Sequence, residues 1–369
     1  MQWKPSLCLL LFLGCLKGAF AAILYYSPWK TSAPWNLYGA KMQFSWMYLF
    51  AAWDSGAYHE LAANWYPSSL NPLWAYFPLY PACIRLFGFL GLDLWLGAFL
   101  VANVAGFLSI LMFHKVARAY LAEADSYSAT ALYFLLPYVF VFTTVSYTES
   151  LFLLLSLMTW YAHIKGRDVR STVFASLTTL TRAYGLLMLI PMGYNFLKNR
   201  EFRRLSVLVL PIATFLGWIS YGFLRTGNAL ASFAAQSYWT SPTALQIRDS
   251  LSSFFMTGDL GVFQLVERFE VVMIVGFVTI VFIAWLCIRT WRIDKSLTVY
   301  STTFLLAMSL VVGIYIQNFI SLSRYLSLIF PVGLSLTTSR KWLLYSAIVL
   351  LSLLDLTAWW MFLFTQSFH

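Results

Sequence analysis

The chain is short of charge. Only 10% of its 369 residues are Asp, Glu, Lys or Arg, against roughly a quarter in an ordinary globular domain. Hydrophobic residues make up 60%, and the mean hydropathy is +0.73. A soluble protein with so little polar surface has nothing to cover its core with. A soluble enzyme, a nucleic-acid-binding domain and a disordered chain are excluded on this ground. Cysteine is scarce too: Cys8, Cys15, Cys83 and Cys287 lie in or beside apolar runs, with no CxxC pair. That argues against a zinc ribbon and against a disulfide scaffold. There is no Asn-x-Ser/Thr sequon and no clear internal repeat.

What remains is a polytopic membrane protein. Crossing a bilayer takes about 20 apolar residues. Runs of that kind lie near 6–26, 94–113, 127–145, 148–164, 205–224, 271–290, 297–317, 325–339 and 342–364. The first run, with Ala19-Phe20-Ala21 near its end, has some look of a signal peptide. It is read here as a retained helix. Lys17 interrupts that run and either snorkels to the surface or faces the protein interior.

Residues 171–197 carry basic clusters at both ends: Lys165, Arg167 and Arg170 before, and Lys198, Arg200, Arg203 and Arg204 after. A single crossing places one cluster on the wrong side of the membrane. Two short helices turning near Thr181-Arg182-Ala183-Tyr184-Gly185 place both inside, so a buried helical hairpin is expected. The net charge of +10 then reads as positively charged inner loops rather than as a nucleic-acid footprint. The fold class that follows is an all-α polytopic membrane protein of about eleven transmembrane or membrane-embedded helices. Two long extracytoplasmic loops, 27–93 and 225–270, are rich in Trp, Tyr and Phe.

The first outer loop holds the most informative segment, Trp53-Asp54-Ser55-Gly56-Ala57-Tyr58-His59-Glu60. On a helical wheel at about 100° per residue, Trp53, Ala57, Tyr58, Leu61 and Trp65 share one apolar arc, and Asp54 falls within it. Either Asp54 is a helix N-cap, or it is a carboxylate in a partly dry cleft, placed to act as a general base. Further on, Trp74-Ala75-Tyr76-Phe77-Pro78-Leu79-Tyr80-Pro81 has prolines that bar a regular helix. It is a rigid interfacial loop or one wall of a substrate groove.

Four stretches, taken in order, resemble the PIG-V mannosyltransferases of the GT-C superfamily. They are Trp53-Asp54 with Tyr58 and Ala75-Tyr76-Phe77-Pro78-Leu79-Tyr80-Pro81; Tyr147-Thr148-Glu149-Ser150-Leu151-Phe152; Thr181-Arg182-Ala183-Tyr184-Gly185; and Arg324-Tyr325 with Phe330-Pro331. The chain departs from the family pattern at Ala52 and at Tyr184.

The resemblance implies a single GT-C-like membrane domain and inverting transfer of a sugar, mannose first. The donor is a polyprenyl- or dolichyl-phosphate sugar. The acceptor is a glycan, glycolipid or protein hydroxyl on the extracytoplasmic side. It further implies Asp54 as the catalytic base. The leaving phosphate already carries charge, so cations rather than an acid must stabilise it. Arg182 and Arg324 suit that work, or else each pairs structurally with an acid such as Glu149. Glu149 in turn either favours a helix N-terminus or orients an arginine or the acceptor.

Trp53, Tyr58, His59, Tyr76, Phe77, Glu149, Tyr325, Gln236 and Trp239 complete the expected groove, with Tyr238 and Arg248 beside the last two. The Trp and Tyr residues of the second loop also fit membrane-interface anchors. Asp54 and Glu60 lie about 240° apart on a helix, a poor geometry for one ion. No metal and no other cofactor is expected. Membrane lipids are partners and nucleic acid is not. The compact loops and missing sequons point to a bacterial or archaeal plasma membrane rather than the endoplasmic reticulum. Three other classes stand beside this one. A transporter or flippase of lipid-linked sugars is the first alternative, kept open by the 171–197 stretch and Lys17, although such proteins usually show inverted repeats. An acyltransferase or hydrolase needs a buried histidine or nucleophile, and His114 and His163 read as structural. A non-catalytic subunit of a glycosylation complex is the third.

Overall fold

The computed structural model describes residues 4–26, 45–239, 277–315, 319–337 and 340–364. Among these residues the regular structure is helical throughout, with no strand. Five helical stretches are long and apolar enough to cross a membrane: Leu7–Tyr26, Leu94–Ala117, Phe202–Thr226, Lys295–Val312 and Lys341–Trp360. Two shorter apolar helices, Leu79–Phe89 and Phe277–Thr290, accompany them. The protein is an integral, multi-pass membrane protein. The helical segments do not reproduce the expected eleven one for one, for reasons that lie at particular prolines.

The helix α1 (Lys4–Tyr26) lies along the molecule near α4 (Leu94–Ala117). Between them in sequence come α2 (Ser55–Asn64) and α3 (Leu79–Phe89), so the first outer loop is largely folded rather than extended. Its residues 27–44 lie outside the described residues. Asp93 caps α4 by accepting from the Leu96 N–H at 2.9 Å, a bond that satisfies one orphan donor of the first turn. Pro78 and Pro81 do not keep the chain out of a helix. They fall at the cap and in the first turn of α3, where a missing N–H costs nothing.

The run 127–145 is not one span. It divides into α5 (Glu123–Phe134) and α6 (Pro137–Phe142), because Pro137 cannot continue α5 but starts a new helix well. Residues 128–135 are buried, so the break lies inside protein, where irregular backbone finds partners. The helix α7 (Glu149–Ile164) is apolar on nearly every side and sits at the centre, packed against α4 and against α8 (Asp168–Thr181). Phe152, Leu153, Leu157 and Trp160 are its fully or almost fully buried members.

The expected hairpin is present. The helix α8 ends at Thr181, Arg182 takes an extended conformation, a 3-10 turn covers Ala183–Met188, and α9 (Leu189–Lys198) returns. Gly185 lies on the backbone of Thr178 and Thr179, and the Ser171 hydroxyl reaches the Met192 sulfur at 3.8 Å. Pairing of 178 with 185 and of 171 with 192 is the pattern of two antiparallel arms. At the open end Arg204, ahead of α10 (Val209–Thr226), donates twice to Asp168 at 2.6 Å.

The run 325–339 is also broken. Phe319–Leu326 and Phe330–Gly333 are separate short helices, with Pro331 opening the second. Arg324 therefore lies in the last turn of a short helix and not at the outer start of a span. Lys17 faces the interior: its ammonium donates to Thr143. Of the second outer loop, residues 240–270, and Arg248 with them, lie outside the described residues.

Candidate active site

The helix α2 begins at Ser55, so Asp54 stands at its N-cap position. Its side chain makes no cap hydrogen bond, and the N-cap alternative falls. Trp53 precedes it with φ +53°, a left-handed conformation that is an outlier for a bulky side chain. That turn ends the preceding segment and sends the carboxylate away from the helix. Tyr76 donates to Asp54 Oδ1 at 2.9 Å, and Arg324 Nη1 lies 3.4 Å from Oδ2. The Asp54 N–H donates to the Tyr147 hydroxyl at 3.0 Å. Burial, and then the charge of Asp54, push the acidity of Tyr76 out of reach, so it remains a proton donor.

Glu149 is the first residue of α7 and has no exposed surface. Its Oε1 accepts from Arg182 Nη2 at 2.6 Å. The same oxygen lies 3.0 Å from Arg324 Nε, an ion pair whose N–H is not aligned for a hydrogen bond. The structural pairing of both arginines with Glu149 is thus real. Each guanidinium also faces aromatic rings: Arg182 lies over Tyr184 and Tyr325, and Arg324 over Phe142, Tyr147 and Tyr325. Arg324 Nη2 also donates to the Tyr325 hydroxyl at 2.9 Å. Two acids balance two arginines, which is how charges persist at low dielectric. Asp54 retains 21% side-chain exposure and each arginine 12%. The cluster is sheltered yet reachable.

Tyr58 packs under this group. Its ring centroid lies 5.0 Å from Tyr76, 4.9 Å from Tyr80 and 6.2 Å from Tyr147. Burial pushes its hydroxyl up as well. Phe77 packs on Trp218 of α10. Gln236 donates to the Ala75 carbonyl at 3.2 Å, and Tyr66 to the Tyr76 carbonyl at 2.7 Å. These two brace the loop that presents Tyr76. His59 does not join the cluster. It stacks on Trp95 at 4.3 Å, burial lowers its basicity, and its charged neighbours are Asp93 and Glu60. The side chain of Trp239 lies outside the described residues.

Tyr147, absent from the expected groove residues, belongs to the cluster: it accepts from the Asp54 N–H and lies under Arg324. Its place two residues before Glu149 was the available signal. Among the described residues no three His, Cys, Asp or Glu side chains form a metal-binding group.

Fold and site together define a polytopic, all-helical membrane protein with a sheltered acid–arginine cluster where its helices open. Comparison with known proteins narrows that class. The chain belongs to the mannosyltransferase (PIG-V) family, whose model matches residues 20–250. That stretch holds Asp54, Tyr76, Tyr147, Glu149 and Arg182, while Arg324 lies beyond it. No curated protein matches the chain. Among solved structures it is similar to the oligosaccharyltransferase of Archaeoglobus fulgidus in complex with Zn and sulfate, at 14% identity and TM-score 0.46 over 96% of this chain and 53% of that one. It is also similar to ArnT from Cupriavidus metallidurans bound to undecaprenyl phosphate, at 14% identity and TM-score 0.37 over 79% and 72% of the two chains. The chain spans about half the length of the oligosaccharyltransferase.

Proposed function

We propose that this protein is a glycosyltransferase that moves a sugar, mannose in keeping with its family, from a polyprenyl- or dolichyl-phosphate donor to an acceptor hydroxyl. The acceptor is a lipid-linked or surface glycan, and the reaction proceeds with inversion on the extracytoplasmic side of a bacterial or archaeal plasma membrane. The observation that carries this reading is that Arg324 reaches both acids, Asp54 at 3.4 Å and Glu149 at 3.0 Å. A base and a phosphate-binding cation thereby share one small space.

In the proposed step the acceptor oxygen attacks the anomeric carbon while its proton passes to Asp54 Oδ2. The bond from that carbon to the phosphate oxygen breaks, and its electron pair leaves on the lipid phosphate. Arg324 and Arg182 take up the charge that builds there. Arginine's planar fork fits phosphate better than a lysine point charge. The prenyl tail lies between helices within the membrane. The scheme needs no metal, because the two guanidinium groups supply the positive charge.

The test is radiolabelled transfer from polyprenyl-phosphate mannose by purified protein, with the product identified. Asp54→Asn is expected to lose about 100-fold or more in rate while still folding. Full turnover by that variant refutes the assignment, and substrate translocation without a transfer product favours the transporter reading instead.

A further inference from the structure

Lys17 and Asp355 are ionisable, buried and unused by the scheme above. Lys17 lies within α1 at 6% exposure. Its ammonium donates to the Thr143 carbonyl at 2.9 Å and to Thr143 Oγ1 at 3.1 Å, between the rings of Phe107 and Phe140. Asp355, on the last helix (Lys341–Phe364), has no exposed surface, and neither carboxylate oxygen has a hydrogen-bond partner.

A charged side chain at membrane depth is expensive, and an apolar one of similar volume often packs at no loss. What Lys17 supplies and a methionine does not is a donor for the end of α6. The last carbonyls of a helix have no partner within it. At the end of α6 and just past it, three carbonyls are met from other elements: Phe142 by Ser150 of α7 at 3.2 Å, Thr143 by Lys17 of α1, and Thr144 by Asn103 of α4 at 2.9 Å. Gly106 of α4 lies against the same turn, where a Cβ would come within 2.5 Å of the Thr143 oxygen. From there the chain runs through Ser146, whose N–H donates to the Phe50 carbonyl at 2.6 Å and whose carbonyl accepts from Ser55 at 3.2 Å. It then delivers Tyr147 to Asp54 and Glu149 to the arginines.

We propose that Lys17 is a positioning residue that fixes the α6–α7 turn so that Tyr147 and Glu149 meet Asp54 and the two arginines. This rests on the transferase reading of the cluster.

The test compares the full chain with Lys17→Met and with the charge-neutral pair Lys17→Met/Asp355→Asn, which leaves no stranded carboxylate. The assays are transfer from polyprenyl-phosphate mannose and hydrogen exchange. Both variants should lose about tenfold or more in kcat, since a displacement of about 1 Å is enough for that. KM for the donor should stay within about threefold, because the prenyl tail is held elsewhere. Amides of 144–149 should exchange faster while those of α4 and α8 do not change. Lys17→Met and Tyr147→Phe should together lose less than the product of their separate losses, as groups acting through one turn do. Wild-type kcat and wild-type exchange in the charge-neutral pair overturn the proposal, and so do losses that multiply in full. If the wild-type chain transfers no sugar, the transferase reading fails, and exchange at 144–149 still decides whether Lys17 holds the turn.

Discussion

At the scale of single residues, the proposed reaction depends on which oxygen of Asp54 is free to take a proton. Tyr76 occupies Oδ1 at 2.9 Å. Arg324 stands 3.4 Å from Oδ2, longer than a tight N–H···O bond, so an incoming phosphate that draws Arg324 away frees Oδ2. Arg324→Ala should therefore cost about 100-fold or more in kcat/KM, as loss of a charge-stabilising donor does. Arg324→Lys should restore only part of it, since one ammonium cannot span Asp54, Glu149 and a phosphate. Full activity in Arg324→Lys would show that the fork is not needed. Tyr76→Phe removes one neutral-donor bond, worth about 1 kcal/mol net, and should lower kcat by about fivefold with little change in stability. Steady-state assays of the three variants check these outcomes. Arg182 and Arg324 stand out in the sequence because ionisable residues at membrane depth are rare and costly, and Asp54 because a carboxylate falls on the apolar arc of an outer-loop segment; the structure brings these three together with Glu149. Tyr147 was only half legible: it sits in the stretch that holds Glu149, but it is one of 22 tyrosines, and only the fold brings residue 147 to residue 54. His59 shows the opposite error, a neighbour in sequence that the first turn of α2 carries over to Trp95.

At the scale of elements, the hairpin tip is the part that places Arg182. The 3-10 turn lies so close to α8 that a Cβ on Gly185 would sit 2.7 Å from the Thr178 carbonyl carbon and the Thr179 nitrogen. Backbone cannot yield as a side chain does. Gly185→Ala should cost about 1–3 kcal/mol through overpacking and should reduce transfer by shifting Arg182. Gly217→Ala in α10 is the control, because nothing lies within 4 Å of its added methyl. It should be neutral or stabilising by up to about 1 kcal/mol. Thermal unfolding in detergent separates the two, and equal midpoints would rule out the close contact at the tip. The hairpin was legible because charge clusters at both ends of one apolar stretch are incompatible with a single crossing. The breaks at Pro137 and Pro331 were harder to see. Hydropathy records that 127–145 and 325–339 avoid water, and it is equally satisfied by lipid and by protein around them.

At the scale of the whole molecule, the arrangement of charge sets an expectation for which way the site opens. Arg204 clasps Asp168 and Glu201 at one end of the hairpin, beside Lys165, Arg167, Lys198 and Arg200, and Arg182 sits at the other. The 14 residues of α8 rise about 21 Å, against about 30 Å of hydrocarbon. A helix of that length set along the bilayer normal from one surface ends roughly 10 Å short of the far headgroups. If the basic end is cytoplasmic, the site opens outward, below the folded first loop. Single cysteines introduced at Gly166 and Arg200, with Cys8, Cys15, Cys83 and Cys287 replaced, should both react with a membrane-impermeant maleimide only from the cytoplasmic face. A cysteine at Ser68, exposed between α2 and α3, should react only from the opposite face. Labelling of 166 and 200 from different faces would mean that the stretch crosses the membrane. Arg182 would then lie midway along a span, and the shared space of base and phosphate-binding cation on which the proposed reaction depends would not form.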